Sequence, residues 1–281
     1  MSKLLTKIQK KVRRRRKAYL RNRRERQVSQ ALQIVERDPK AIDEVKGILA
    51  KFAPTPTGHK LIRIGPTYDG GYILPDDLEG LVALYSPGVS DTFGFDAEIA
   101  GRGIPCFLAD GTIDQPSNLP AGMFFEQMMI GDGPAGRFMR LEDWVSRTAP
   151  ESDGDLMLQM DIEGAEYDVL PGVSRDLLDR FRIIVLELHD LDIRMLGPQR
   201  AELTALLARL TERHVVCHVH PNNCLAPSQI LGRPVPPILE VTLLRQDRIR
   251  PGGADDLVYP HPLDSPNIAT MVDHPGVPFW T

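Results

Sequence analysis

Leu156-Met-Leu-Gln-Met-Asp-Ile-Glu-Gly-Ala-Glu166 and Arg182-Ile-Ile-Val-Leu-Glu-Leu188 are the two stretches that decide the fold. The second is β-rich and almost continuously apolar, as in a strand buried on both faces. A helical pattern over 165–180 lies between them, and strand–helix–strand order reads as a parallel pair with a crossover. Working outward, further apolar runs fall at 61–64, 72–74, 81–85, 105–109 and 123–130, with helical segments at 94–102, 140–147 and 198–213. After Arg213 the order changes: His214–Val219 and Ile238–Leu244 read as two strands with no helix between them, hence a terminal antiparallel pair. The expectation is an α/β protein, a mostly parallel sheet with helices on both faces.

The 281 residues suit one large domain with an arm, and no apolar run approaches the ~20 residues that span a bilayer. Three cysteines (Cys106, Cys217, Cys224) argue against a disulfide framework and for a reducing compartment, so a cytoplasmic location is expected. The net charge of −4 is unevenly distributed. Residues 1–27 hold 13 lysines and arginines against Glu25 alone, a charge of +12; the remainder holds 21 basic and 37 acidic residues, −16. In the arm, Leu4, Leu5, Ile8 and Val12 recur at helical spacing among cations, which suits a helix lying at an anionic, inner membrane surface. The same charge would hold nucleic-acid phosphates, or form a solvated tail. It is not a secretory signal.

The segments divide as a basic arm (1–27), a helical linker (28–59), a main domain (60–250) and a Pro-rich C-terminal extension (251–281) to which no chemistry is assigned. In the linker, Ala31, Leu32 and Val35 form one stripe. Asp38 caps a second helix with Pro39 at its first position, and Ile42, Val45, Ile48, Leu49 and Phe52 continue the periodicity.

Ligands of open α/β sheets sit beyond the carboxyl ends of the strands. After strand 81–85 come Ser86, Gly88, Ser90 and Asp91: Gly88 for close backbone approach, Ser90 or Asp91 as a helix cap. Asp110 follows strand 105–109, placed to accept from a ribose diol, and Asp161-Ile-Glu-Gly-Ala-Glu166 follows strand 156–160. Glu187 lies in strand 182–188, which ends in His189-Asp190. The glycine loop lacks the G-x-G-x-x-G spacing of dinucleotide enzymes, which counts against an NAD(P)-dependent oxidoreductase.

Leu158-Gln-Met-Asp-Ile-Glu-Gly-Ala-Glu-Tyr-Asp-Val-Leu170 with Leu186-Glu-Leu-His189 resembles the FkbM-type S-adenosylmethionine-dependent methyltransferases. Tyr68-Asp-Gly-Gly-Tyr72, Tyr85-Ser-Pro-Gly88 and His218-Val-His-Pro-Asn-Asn223 extend the match to the branch containing methyltransferase-like 24 proteins. The resemblance spans about residues 60–246 and implies a seven-stranded Rossmann-like class I sheet, S-adenosylmethionine as donor, and an oxygen acceptor on a sugar, glycolipid or polyketide. At Tyr85–Asp91 the chain departs from the G-x-G-x-G loop usual in class I methyltransferases. On this resemblance, Gly88 and its neighbours hold the methionine end, Asp110 the ribose, and Tyr68 and Asp69 close over the amino-acid portion. His220 or Asn223 lines the acceptor pocket.

His189 is the favoured base, since an imidazole titrates near neutral pH, with Asp161 orienting it or the acceptor. Glu163 is grouped with them; Glu163 and Glu166 lie at i and i+3 where a helix begins, and the alternative role, above all for Glu166, is to complement its dipole. A divalent metal on Asp161 with His189 or Asp190 is an option that is not favoured, because spacing fixes no further carboxylates. Zinc at Cys217, His218, His220 and Cys224 lacks ligand spacing. A nucleic-acid-binding or nucleic-acid-modifying role is opposed by the acidic body.

Overall fold

A computed structural model describes residues 22–281 except 90–91, 150–153, 253–256 and 275–276. Ser90, Asp91 and the apolar positions of the arm therefore lie outside the described residues. Helix α1 covers 22–35 and helix α2 Pro39–Ala50, where Asp38 accepts the Lys40 N–H as the cap. The chain continues through β1 (Leu61–Ile64), β2 (Tyr72–Pro75), β3 (Leu81–Pro87), α3 (Gly94–Gly101), β4 (Cys106–Ala109), β5 (Met123–Glu126), β6 (Met129–Ile130) and β7 (Phe138–Met139). Then come α4 (Leu141–Thr148), β8 (Asp155–Met160), α5 (Glu166–Val169), α6 (Arg175–Arg180), β9 (Phe181–Leu188), α7 (Leu191–Leu196) and α8 (Arg200–Leu210). Four strands finish the order: β10 (His214–Pro221), β11 (Ser228–Ile230), β12 (Arg233–Val235) and β13 (Leu239–Arg245).

Seven strands form the central sheet in the order β10-β13-β9-β8-β3-β4-β5. All neighbours from β5 to β9 are parallel, and β13 runs against both β9 and β10. This is the mostly parallel Rossmann-like sheet with a terminal antiparallel pairing that the sequence leads one to expect. The β9 run is buried along its whole length because both faces are covered. Ile184, Leu186 and Leu188 pack into the helical side with α2, α7 and α8, while Ile183 and Val185 pack beneath Ile64, Tyr72 and Leu74 of the β1–β2 hairpin.

Four local expectations change. Segments 61–64 and 72–75 form that separate hairpin rather than sheet strands. The run 123–130 is broken into β5 and β6, and the helix over 165–180 is interrupted at Leu170–Gly172, where Pro171 removes a backbone donor. Helix α7, from Leu191 to Leu196, was not anticipated.

Val35, Val45, Ile48, Leu49 and Phe52 of α1–α2 and its exit belong to the same core as the sheet. Phe279 from the C-terminal segment is fully buried in that core, 6.0 Å from the Phe52 ring. The three cysteines are free thiols, and no helix among the described residues is long and apolar enough to cross a membrane.

Candidate active site

The chain runs outward from β3 to β4 and then returns to place β8 on the other side of β3, so the strand order reverses between β3 and β8. A crevice at such a reversal follows from crossovers leaving in opposite directions. Here it is a cavity of about 330 Å³, lined by residues that include Gly88, Asp110, Asp161 and Glu163 at the carboxyl ends of β3, β4 and β8.

Gly88 has φ +88°, and a Cβ there would lie 1.6 Å from the Asp161 carbonyl oxygen. Its N–H donates to Ala109 O at 2.9 Å, and Asp161 N–H donates to Pro87 O at 3.2 Å. The glycine thus stitches the ends of β3, β4 and β8 together. It lines the cavity, but its N–H is already committed. Next to it, Asp110 Oδ1 accepts from Thr112 N–H (2.7 Å) and Thr112 Oγ1 (2.6 Å), which fixes the carboxylate at the mouth. Gly111 permits the loop to press on Met129, whose Cγ would be 2.6 Å from an added Cβ. Met128, Met129, Ile130 and Phe138 complete an apolar wall.

Opposite that wall, β8 and β9 deliver an acidic cluster around His189. Its Nε2 lies 3.4 Å from Glu163 Oε2, 3.9 Å from Asp161 Oδ1 and 3.9 Å from Glu187 Oε2; Nδ1 lies 3.9 Å from Glu166 Oε1. Nδ1 also meets the Glu187 carbonyl at 3.2 Å. A carbonyl can only accept, so this contact assigns the hydrogen to Nδ1 and leaves a lone pair on Nε2. Burial, and then the Glu187 carboxylate, push Asp161 up to about 10; burial raises Glu187 as well. Two carboxylates this close cannot both ionise cheaply in a poorly solvated site. Glu163 reaches the imidazole from a left-handed backbone (φ 56°), a conformation that costs a non-glycine residue about 1–2 kcal/mol. Glu166 is fully buried and accepts the Ile162 N–H at 2.8 Å, closing the turn that carries Glu163.

Of the residues singled out in the sequence, Asp161, Glu163 and His189 come together, and Asp69, Gly88 and Asp110 share the same cavity. The others do not meet it. Ser86 is fully buried and donates to Gln159 Oε1 at 2.6 Å. Tyr68 is exposed and outside the lining. Asn223 holds the C-terminal segment, accepting Ile268 N–H and donating to Ile268 O and Met271 O. His220 is locked between Glu240 (3.1 Å) and Asp273 (3.4 Å). Asp190 points away from Asp161 and pairs with Arg24 at 2.6 Å; the same Arg24 also binds Asp192.

Three residues given no role from sequence adjoin or line the site. Glu187 accepts from Asn222 Nδ2 at 2.6 Å, and Gln159 donates to the Tyr72 hydroxyl at 3.2 Å. Asn267, in the C-terminal segment, bridges Glu240 (2.6 Å) and Asp69 (3.4 Å). The strand register explains Glu187: Glu187 faces Glu240 and Glu240 faces His220, a polar row across β9, β13 and β10. Register of that kind cannot be read from spacing when the strands are not neighbours in sequence. No lysine or arginine lines the cavity among the described residues.

Residues 143–214 match the family model described as Methyltransferase FkbM domain. The matched segment runs from α4 to the start of β10 and contains Asp161, Glu163, Glu187 and His189, while Gly88 and Asp110 precede it. No curated protein matches the chain. Over residues 143–214 the chain is thus similar to the FkbM methyltransferase domain.

Proposed function

We propose that the protein is an S-adenosylmethionine-dependent O-methyltransferase acting on a hydroxyl of a sugar, glycolipid or polyketide-like molecule. The observation carrying this reading is one cavity with two unlike ends: Asp110 and the Met129–Phe138 wall at one, and at the other Asp161 and Glu163, behind which His189 adjoins the lining. The first end suits a nucleoside. A fixed carboxylate can accept from a ribose diol, and the thioether and phenyl surfaces can cover a flat base. The Asp69 carboxylate gives the region between an electronegative character that suits a cationic centre. When bound, S-adenosylmethionine supplies a methyl group on a positively charged sulfur, which departs as a neutral thioether.

The protein's task is to orient the acceptor and remove its proton as the new C–O bond forms. His189 takes the hydroxyl proton at Nε2. Its Nδ1–H stays on the Glu187 carbonyl, and Glu163, 3.4 Å away, stabilises the resulting imidazolium. A nucleic-acid acceptor is disfavoured, because the lining includes Asp69, Asp96, Asp110, Asp161 and Glu163 and no cation among the described residues. The basic arm, on this reading, is an address for an anionic membrane surface at the cytoplasmic face. Sedimentation with anionic vesicles, beside a nucleic-acid gel shift at physiological salt, tests that assignment.

The central test is calorimetry with S-adenosylmethionine, followed by mass analysis of candidate sugars incubated with labelled donor. Saturable donor binding and a product heavier by one methyl group are expected. Absence of donor binding refutes the reading.

A further inference from the structure

We infer that Asp161, Glu187 and His189 form a divalent-cation site on the acceptor side of the cavity. The inference rests on the cluster being the acceptor side, as proposed above, and changes how the hydroxyl is activated there.

The geometry comes first. One ligand atom from each of the three residues can be chosen so that all lie within 4.8 Å of one another. Ligands each about 2.1–2.3 Å from a common ion are separated by at most about 4.6 Å, so only small side-chain adjustment closes the shell. The donors project from the ends of two adjacent buried strands, which hold them as a rigid set.

Hydrogen bonding and burial point the same way. Asp161 Oδ1, the atom facing His189 Nε2, is buried with no hydrogen-bond partner. The Glu187 side chain is 7% exposed; Asn222 satisfies its Oε1, and Oε2 is turned toward the imidazole. Nε2 itself presents a lone pair, because the Glu187 carbonyl claims the hydrogen on Nδ1. Ligand atoms of the three residues therefore face one another, and a bound cation would take the place of the proton that Asp161 and Glu187 share. A backbone carbonyl holding the far ring nitrogen is the usual support of a metal-bound histidine.

Charge balance is the independent argument. Asp161, Glu163, Glu166 and Glu187 all lie within 4 Å of one imidazole, and no lysine or arginine pairs with any of them among the described residues. By contrast, buried Asp77 is compensated by Arg248 and Arg182, and half-buried Asp155 by Arg182 and Arg245; buried Asp96, like the cluster, has no lysine or arginine partner among the described residues. Two carboxylates and one imidazole suit Mg²⁺ or Mn²⁺, hard ions that keep positions open for oxygen ligands. The open positions would take the acceptor hydroxyl and lower its pKa. His189 Nε2 then binds the ion, and the hydroxyl proton passes to the Glu163 carboxylate, 87% exposed at the rim.

The test is Mn²⁺ binding to full-length protein freed of metal with EDTA, followed by electron paramagnetic resonance. One Mn²⁺ per chain is expected, displaced by Mg²⁺. Glu187→Gln and Asp161→Asn should each weaken binding at least about tenfold while retaining the wild-type circular dichroism spectrum, and Asp190→Asn should leave it unchanged. No bound Mn²⁺ at millimolar concentration overturns the inference, as does binding that survives both substitutions. Calorimetry with S-adenosylmethionine in EDTA separates the two proposals. Donor binding without Mn²⁺ binding removes the ion and leaves His189 as the base; absent donor binding refutes the methyl-transfer reading itself.

Discussion

Asp161→Asn should make the metal-free protein more stable while destroying its activity. In the native state Asp161 is half-buried beside Glu187 and raised to about 10, from an ordinary value of 3.8. At pH 7 the folded protein holds a proton that the unfolded chain releases, so ionisation favours unfolding. The penalty is absent below pH 3.8 and grows by about 1.4 kcal/mol per pH unit up to about 10. At pH 7 it reaches at most about 4 kcal/mol, and sharing the proton with Glu187 brings the expected value nearer 2–4 kcal/mol.

Asparagine mimics the protonated acid and has no charge to release on unfolding. At about 2–4 °C per kcal/mol for a chain of this size, the melting temperature should rise by roughly 5–10 °C in EDTA at pH 7. The assay is thermal and urea unfolding of both proteins from pH 5 to 8, with methyl transfer measured alongside. The stability difference should widen with pH. Mn²⁺ at a hundredfold excess over Kd should offset most of the advantage, since wild type would gain about 3 kcal/mol and the variant little. A variant no more stable than wild type in EDTA, or a difference independent of pH, refutes the account of an uncompensated carboxyl pair.

With His189 as the base, His189→Ala should lower kcat by about 10²- to 10⁴-fold, the usual contribution of a proton-accepting group, while calorimetric affinity for S-adenosylmethionine stays within about twofold. Phe279→Ala should cost about 3–5 kcal/mol in urea unfolding, because the ring is fully buried against Phe52 and the sheet core. A change below about 1 kcal/mol would show that the C-terminal segment is not part of the cooperative unit. Burial opposes the charge on His220, but Glu240 and Asp273 prevail and hold it at about 10. Its contribution is complete below pH 6.5 and disappears as pH rises through 10, so His220→Gln should flatten the fall in unfolding free energy over that interval.

By itself the sequence determined the layers and the chemistry available to them. The unbroken apolar run of β9 required cover on both faces, Asp38-Pro39 started α2, and Asp110 and Asp161 at strand ends marked the side where a ligand would sit. These features are local: periodicity, capping and strand polarity act over a few residues. Tertiary structure decided which side chains meet. Asn223, two residues from the end of β10, was equally consistent with a pocket and with the C-terminal staple it forms, and Ser86 was turned beneath the sheet end by the facing of β3. Asp190, adjacent to His189, was drawn to Arg24 by a left-handed backbone, while Glu187, hidden in an apolar run, entered the cluster instead. Glu187, Glu240 and His220 form a row only because β13 is inserted between β9 and β10 in this register. The physical reason is that a strand's sequence fixes which residues share a face, whereas the order and register of its neighbours fix what that face touches.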